Sequence, residues 1–382
     1  MNKIELGLSI CLLGTIIAGM KMTPAVQKLI PPQAYKIPKD VTVHHDTRID
    51  DYYWLKERDT QPVLDYLKAE NDYTFAKMKH TELLQKTLYN EMRGRIKEDD
   101  TTVPYNFGNY MYYTRTEENL QYDIYCRKLG NSSGDEEITL NMNEMAKKHD
   151  YIDLSAYKIS PNEKLLALTI DTSGAELHKL IIKDIKTGEI LDDHLSNLDG
   201  SVEWANNNKT LFYTVLDKAH RSYQLWRHEL GNEQSDDVLV FQEDDDRFSV
   251  GLHRTKSGEF LKMDLESQIT TEVYLLDRND PFGEWKLVQP REQGVEYYVY
   301  HHGNYLYQIT NKDAINFKMI RTTLKGGKED EIIPNRDKTT LDDVSMFKNH
   351  MAVLERIDGN LEIRLFNFED ESWYNIEMNE DI

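Results

Sequence analysis

The sequence predicts a mainly β protein: a β-propeller of about six blades preceded by a short helical segment. Residues 210–243 read as three short strands, rich in aromatic and β-branched residues and joined by polar turns. The same order of an apolar opening strand, a polar turn and a charged second strand occurs at five other places. Successive openings lie 45 to 55 residues apart, a period typical of four-stranded propeller blades and not of helical repeats, whose apolar spacing is missing. The openings are Tyr110, Leu165, Leu211, Phe260, Tyr305 and Met351.

Composition supports a folded chain with a large core and narrows the classes of partner. Of the 382 residues, 39% are hydrophobic, and 23 Tyr with 11 Phe suit sheet surfaces. The net charge of −21 argues against nucleic acids and anionic membranes, because both require clustered Lys and Arg. An acidic surface is compatible with basic peptides, although solubility alone also explains it. The two cysteines, Cys11 and Cys126, provide no disulfide framework and no CxxC metal site.

We interpret residues 1–35 as a hydrophobic N-terminus followed by a linker. Residues 6–20 carry no charge, and the run has the length of a secretory signal core but is short for a membrane span. A signal peptide begins with a positively charged region, but here the negative charge of Glu5 cancels the positive charge of Lys3. The interpretation as a signal peptide is weaker for that reason. Three readings stay open: a signal peptide, a membrane anchor, or an upstream extension of a protein that starts at Met20 or Met22.

Residues 36–100 form the predicted helical segment. We expect a helix to begin near Thr60, with Asp59 or Thr60 accepting the free amides and Pro62 in the first turn. A second helix is expected over residues 81–96. Their apolar residues recur at helical spacing and must lie against another surface. They are Val63, Leu64, Tyr66, Leu67, Phe75 and Met78 in the first helix, and Leu84, Leu88 and Met92 in the second.

Several stretches together resemble oligopeptidase B, a member of the prolyl oligopeptidase family. They are residues 36–74 with DYYWL, RIKEDDTTVPY at 95–105, the NYMYYTR and YDIYCRK strands, SVEWANNNKTLFYT at 201–214, YQLWRHELG at 223–231 and EDDDRFSV at 243–250. The resemblance extends from Lys36 to the end of the chain. Two positions depart from it, since the family more often has Gly at His45 and Asp at Asn207.

The resemblance implies a cytoplasmic serine peptidase that cleaves short peptides after Arg or Lys. In the family, a seven-bladed propeller caps an α/β-hydrolase domain, and the segment corresponding to residues 36–100 packs on that domain. The family's Ser, Asp and His follow the propeller, whereas residues 101–382 here read as an incomplete propeller. The resemblance therefore carries over no catalytic residue. We expect no catalytic, cofactor-binding or metal-binding residue in this chain, and no cofactor.

One motif is formally that of a serine nucleophile. Gly130, Ser132 and Gly134 match G-x-S-x-G, which requires a buried strand before the serine and a helix after it. An alternating strand precedes this GNSSG and acidic DEEITL follows. We therefore interpret it as a hairpin turn between blade strands.

The remaining candidates also have simple structural explanations. The pairs His44-His45 and His301-His302 should point to opposite faces of their strands and chelate poorly. The acidic run 243–246 lacks the spacing of a calcium loop and reads as a solvated turn, with a weaker possibility that it attracts basic peptides. Trp54, Trp204, Trp226, Trp285 and Trp373 read as core or inter-blade packing.

Two hypotheses about function remain. The first is the non-catalytic part of an oligopeptidase B-like serine peptidase, whose hydrolase domain is encoded elsewhere or lost; the second is a stand-alone propeller that binds a peptide or protein. The apolar stripes of the helical segment favour the first. In either case an incomplete ring and an uncovered apolar face predict self-association or binding of a partner.

Overall fold

The computed structural model describes residues 29–130 and 134–377. The chain divides into two compact units, residues 1–97 and 98–382. The apolar run 6–20, with Cys11, lies outside the described residues. No helix in the described part is long and apolar enough to cross a membrane.

The described part of unit 1 begins with a hairpin that the sequence did not predict. Strands β1 (Lys39–Val43) and β2 (Asp46–Asp50) pair antiparallel, with Val43 opposite Asp46. His44 and His45 therefore form a two-residue turn with φ of 52° and 67°. Two positive φ angles are what a tight hairpin turn requires. The expectation that this pair lies on a strand is wrong.

Two helices follow, close to the predicted bounds: α1 (Gln61–Met78) and α2 (Glu82–Gly94). Thr60 is the N-cap residue, and Pro62 lies in the first turn, where a missing N–H costs nothing. The expected side-chain cap is absent, because the Thr60 hydroxyl instead donates to the carbonyl of Glu57 at 2.9 Å. The start of α1 was predicted correctly and its capping contact was not.

Unit 2 consists almost entirely of antiparallel strands. They are β3 (Tyr105–Phe107), β4 (Tyr110–Arg115), β5 (Ile124–Leu129), β6 (Glu137–Asn141), β7 (Asp153–Ile159), β8 (Leu165–Asp171), β9 (His178–Asp184), β10 (Leu195–Trp204), β11 (Thr210–Leu216), β12 (Ser222–Glu229), β13 (Val238–Gln242), β14 (Ser249–Arg254), β15 (Phe260–Glu266), β16 (Thr271–Asp277), β17 (Lys286–Gln289), β18 (Tyr297–His302), β19 (Tyr305–Thr310), β20 (Lys318–Thr323), β21 (Asp330–Ile333), β22 (Thr339–Met346), β23 (His350–Ile357), β24 (Asn360–Asn367) and β25 (Trp373–Ile376). A short helix, α3 (Met142–Ala146), follows β6 and begins where Asn141 accepts a hydrogen bond from the Asn143 amide.

The strands form six blades, as predicted. Blades 1, 4, 5 and 6 are the separate four-stranded sheets β3–β6, β14–β17, β18–β21 and β22–β25. Blades 2 and 3 share one seven-stranded sheet through the ten-residue strand β10. Its first half pairs with β9 and its second half with β11, with a change of register and Gly200 at φ 112° between the halves. Strand β10 therefore ends blade 2 and begins blade 3.

The core lies mostly between neighbouring blades. Trp204 of β10 is 1% exposed, and its Nε1 donates to the carbonyl of Lys158 in β7 at 2.9 Å. Trp285 meets Phe212 of blade 3 edge to face, with ring centroids 5.7 Å apart. Trp226 and Trp373 pack against the clusters of blades 2–3 and 5–6. Inter-blade packing is thereby confirmed for these four tryptophans, while Trp54 of unit 1 stacks on Tyr35 at 4.2 Å.

Candidate functional site: the axial ends of the blades

The first strands of non-neighbouring blades meet at one end of the propeller. The Arg254 guanidinium, at the end of β14 in blade 4, lies 5.0 Å from the ring centroid of Phe107 in blade 1. In the turn that follows, Lys256 Nζ lies 4.8 Å from the ring centroid of Phe347 in blade 6. Cations within about 6 Å of an aromatic ring are attracted to its face. The β14–β15 turn thus connects three blades across the propeller axis.

Charged side chains lie on the first strands of the blades and, in blade 4, on the second strand β15. Lys158 Nζ of β7 lies 2.5 Å from Glu203 Oε1 of β10 and joins blades 2 and 3. In blade 4, Lys262 Nζ lies 3.1 Å from Asp264 Oδ2, and His253 Nε2 lies 3.7 Å from the same oxygen. Glu203 and Asp264 are almost fully buried, so their charges require these partners.

A buried arginine lies behind this lining. Arg278 is 4% exposed, and it donates from Nε to the carbonyl of Trp204 and from Nη1 to that of Gly258. Burial, followed by repulsion from Arg254, lowers the pKa of the Arg278 guanidinium to about 10. The guanidinium remains protonated at neutral pH and contributes positive charge near Arg254.

The axial lining offers charges of both signs and aromatic rings. Burial raises the pKa of Tyr300 in β18, whose hydroxyl donates to Asp343 of blade 6 at 2.9 Å. Such groups can hydrogen-bond a polar peptide and stack on its side chains. Sequence reasoning missed these residues, although several of them lie on the strand that precedes an apolar opening: Lys158, Glu203, His253, Arg254 and Tyr300.

The serine motif lies where a turn was predicted. Leu129 ends β5, Glu137 begins β6, and the two strands pair antiparallel, so the GNSSG stretch lies in their connection. Gly130 has φ 64°, as in a turn. Ser132 lies outside the described residues. The flanking strands confirm that no helix follows the motif as a nucleophile elbow would require.

Two described histidines form contacts that resemble part of a catalytic triad. His301 Nδ1 lies 2.8 Å from the Ser257 hydroxyl, but its buried Nε2 has no partner, and burial lowers its pKa. His302 lies on the other face of β18, stacked on Phe368, so this pair diverges as predicted. A triad would need a carboxylate on the second imidazole nitrogen, and His301 has none in the described structure.

His228 is the other such histidine, and it is fully buried. Its Nδ1 lies 2.7 Å from Asp237 and its Nε2 lies 3.2 Å from Asp193, so both nitrogens are used by carboxylates. Although burial opposes it, hydrogen bonding to these carboxylates raises the His228 pKa. A general base needs one nitrogen free for a nucleophile. His228 instead connects the Asp193 loop to blade 3.

The acidic run 243–246 is partly built into the core, so its interpretation as a solvated turn is wrong for Glu243. This carboxylate is 6% exposed and lies 2.6 Å from Arg291 Nη2. Arg221 Nη1 holds the loop through the carbonyls of Glu243, Asp245 and Phe248. Only Asp244 and Asp246 are exposed as expected. Across residues 29–130 and 134–377, no group of three or more His, Cys, Asp or Glu is placed to hold a metal ion.

The helices of unit 1 expose most of their apolar side chains. Val63 is buried, but Phe75 of α1 is 76% exposed and Leu83 of α2 is 79% exposed. The predicted stripe residues Leu64, Leu67, Met78, Leu84, Leu88 and Met92 are also exposed. Many large apolar side chains exposed on two successive helices indicate a protein–protein contact. We call it the helical apolar surface.

Repeated four-stranded sheets around a charged axis, after a helical segment, define a propeller protein. The chain belongs to the family described as prolyl oligopeptidase, N-terminal beta-propeller domain, whose model matches residues 32–381. It is 33% identical over 340 residues to Protease 2 of Moraxella lacunata, covering 87% of this chain and 49% of the relative. It is 31% identical to dipeptidyl aminopeptidase BI of Pseudoxanthomonas mexicana, covering 96% and 54%.

Solved structures of oligopeptidases are also similar to this chain. Oligopeptidase B from Leishmania major superposes with a TM-score of 0.85 at 27% identity, covering 92% of this chain and 54% of that one. Oligopeptidase B from Trypanosoma brucei, solved with covalently bound antipain, gives 0.83 at 30% identity with the same coverage. The family and fold that the sequence predicted are confirmed. The chain spans about half the length of these relatives, and the matched family model is that of the N-terminal propeller domain.

Proposed function

We propose that this chain is the non-catalytic, propeller-bearing part of a serine oligopeptidase similar to oligopeptidase B. It acts with an α/β-hydrolase catalytic domain, and the pair hydrolyses short peptides after Arg or Lys. The helical apolar surface is the observation that carries the proposal. Exposed Leu, Met and Phe side chains are unfavourable in water, and a stand-alone binding module would not need them. A catalytic domain packed on the two helices would cover them.

The axial lining supports a role for the propeller in admitting peptides. The turn that holds Arg254 and Lys256 contacts Phe107 of blade 1 and Phe347 of blade 6 at one end of the axis. In this proposal the propeller admits extended peptides and excludes folded proteins. We propose a cytoplasmic location, as the resemblance to the family implies; export or membrane anchoring through residues 6–20 is the alternative.

The test uses the 382-residue chain alone and fused to the remainder of the Moraxella lacunata Protease 2. We expect no cleavage of a small Arg-amide substrate by the chain alone and measurable cleavage by the fusion. Replacing Leu84 and Leu88 together by Ser should impair the fusion, while Lys86→Ser on the same helix serves as the matched control. Cleavage by the isolated chain that disappears in Ser132→Ala would overturn the proposal.

The second candidate function is a stand-alone module for binding a peptide or protein. The charged and aromatic side chains of the axial lining are the observation that favours it. The Leu84 and Leu88 variant distinguishes the candidates, because only a docked catalytic domain depends on those side chains.

A further inference from the structure

One end of the axial lining carries cations without carboxylate partners. Arg254 ends β14, Lys256 lies in the turn that follows, and the buried Arg278 donates to the Gly258 carbonyl of the same turn. In the part of the chain that the structure describes, no carboxylate lies within about 4 Å of these cations, and Glu259 of the same turn pairs with none of them. The buried Nη2 of Arg278 has no hydrogen-bond partner there either. We call Arg254, Lys256 and Arg278 the cationic end.

Arginines of unit 2 are otherwise mostly paired with carboxylates. Arg127 Nε lies 2.7 Å from Glu137, and Arg291 Nη2 lies 2.6 Å from Glu243. Glu203, which is close enough to attract Arg278, is already paired with a lysine. The chain has 67 Asp and Glu against 46 Lys and Arg, so a shortage of carboxylates does not explain the unpaired cations. Like charges held together without a counter-charge repel one another, and a bound anion would relieve that repulsion.

The other end of the lining carries two carboxylates without cations. Glu266 ends β15 and lies opposite Ser249, the first residue of β14. Glu296 directly precedes β18, the first strand of blade 5. Burial, followed by repulsion from Asp264 and Glu296, raises the pKa of Glu266, so the three carboxylates are neighbours. Neither Glu266 nor Glu296 has a Lys or Arg within ion-pair distance among the described residues. We call these two glutamates the anionic end.

Between the two ends the charges neutralise one another. Lys262 Nζ lies 3.1 Å from Asp264 Oδ2, in the middle of the strand pair β14–β15. His253 lies opposite Lys262, and its side chain is 62% exposed although burial lowers its pKa. Water therefore reaches a group that protein surrounds on most sides, as expected for the wall of a channel. The lining has free positive charge at one end, free negative charge at the other and paired charge between them.

The length of β14 gives the distance between the ends. Ser249 and Arg254 are five residue steps apart, and a strand rises about 3.3 Å per residue, which separates the ends by about 17 Å. An extended peptide has the same rise. A group bound at the anionic end would therefore lie about five residues from a group bound at the cationic end.

We propose that the axial lining binds an extended peptide in one direction. The free C-terminal carboxylate lies at the cationic end, and an Arg or Lys side chain about five residues earlier lies at the anionic end. The inference rests on the proposed function, which supplies the class of ligand, a short peptide with basic residues. The C-terminal carboxylate is the anion that every such peptide has, whereas the cationic end repels its basic side chains. The order of the charges therefore sets the direction of the peptide.

The test measures binding to the isolated 382-residue chain, so it requires no catalysis. The probe is a heptapeptide of Ala and Gly with Arg at position 2, a free C-terminal carboxylate and a dansyl group at the N-terminus. At low salt, amidating the C-terminus or replacing Arg by norleucine should each weaken binding at least about threefold, and high salt should remove both differences. A peptide with Asp at position 2 and a C-terminal Arg-amide has the reverse charge order and should bind more weakly than the probe.

Two variants assign the ends. Lys256→Gln should weaken binding of the free acid about threefold and leave the amide unchanged, whereas Glu266→Gln should weaken the Arg peptide and leave the norleucine peptide unchanged. Lys218→Gln and Glu233→Gln, in loops of blade 3, are the matched controls and should bind all peptides normally. All four side chains are exposed, so each variant should keep the Tm of the parent chain.

The proposal is overturned if none of the peptides binds, if the free acid and the amide bind equally, or if the reversed peptide binds as tightly as the probe. It is also overturned if Lys256→Gln weakens the acid and the amide alike. The hydrolase proposal has its own readout, the activity of the fusion. An inactive fusion together with charge-ordered binding by the isolated chain would count against the hydrolase and support this inference, and an active fusion without charge-ordered binding would do the opposite.

Discussion

The blades and the helical segment contain similar apolar residues but use them in opposite ways. In the propeller, Leu211 and Phe212 of β11 are fully buried between sheets. In α2, Leu83, Leu84 and Leu88 are exposed, and no residue of that helix is buried. Residues in the blade strands alternate between apolar and polar, and each blade buries its apolar face against the next blade. The blades therefore cover one another's apolar surface. A helix whose apolar surface remains open depends on something else to cover it.

The same substitution should therefore have very different costs in the two regions. Leu211→Ala removes a fully buried side chain, and we expect the free energy of unfolding to fall by about 2–5 kcal/mol. Leu84→Ala, at a position 58% exposed, should change it by less than about 0.5 kcal/mol. Urea denaturation followed by tryptophan fluorescence measures both. Equal costs would show that α2 is packed in solution.

The buried His228 of blade 3 should make the stability of the propeller depend on pH, which gives a second test of the difference between the two regions. Because the folded-state pKa of His228 is raised by Asp237 and Asp193, its contribution to stability is fully present below the unfolded pKa, about 6.5. That contribution is lost as the pH rises through the raised folded pKa. We expect the urea midpoint to fall between pH 6 and pH 9, by a smaller amount than Leu211→Ala causes.

His228→Gln provides the control for this pH effect. Gln has no titratable proton, so this variant should be less stable at pH 6 and should lose the His228 share of the pH dependence. The helical segment has no comparable buried ion pair among its described residues, and its melting should not follow this titration. An unchanged pH profile in His228→Gln would show that another group is responsible.

Local patterns made the blades predictable. Strands β4, β8, β15 and β19 begin at the predicted openings Tyr110, Leu165, Phe260 and Tyr305, and β11 and β23 begin one residue earlier. Each opening is the second strand of its blade or its equivalent in the shared sheet. The alternation of apolar and polar residues in a strand and the turn-forming residues beside it lie only a few positions apart. The sequence alone therefore shows where each blade begins.

Contacts between distant residues were not predictable in the same way. Arg254 meets Phe107 across the axis, although two whole blades, 2 and 3, separate them along the chain. Nothing near either residue indicates that meeting. The His44-His45 turn was missed for another reason, since a turn with two positive φ angles usually contains Asn or Gly.

The helical apolar surface itself should contribute little to stability but should drive self-association. Replacing Leu84 and Leu88 together by Ser should leave the unfolding free energy within about 0.5–1 kcal/mol of the parent, because both side chains are exposed. Self-association should nevertheless decrease, since exposed apolar area drives it. Light scattering of the parent and variant chains over a range of concentrations measures this difference. A parent chain that is already a monodisperse monomer would mean that this surface is not sufficient to recruit a partner. In that case the exposed apolar side chains of the helical segment would have no measurable effect on association. The difference between the helical segment and the blades, which bury their apolar faces on one another, would then not affect assembly.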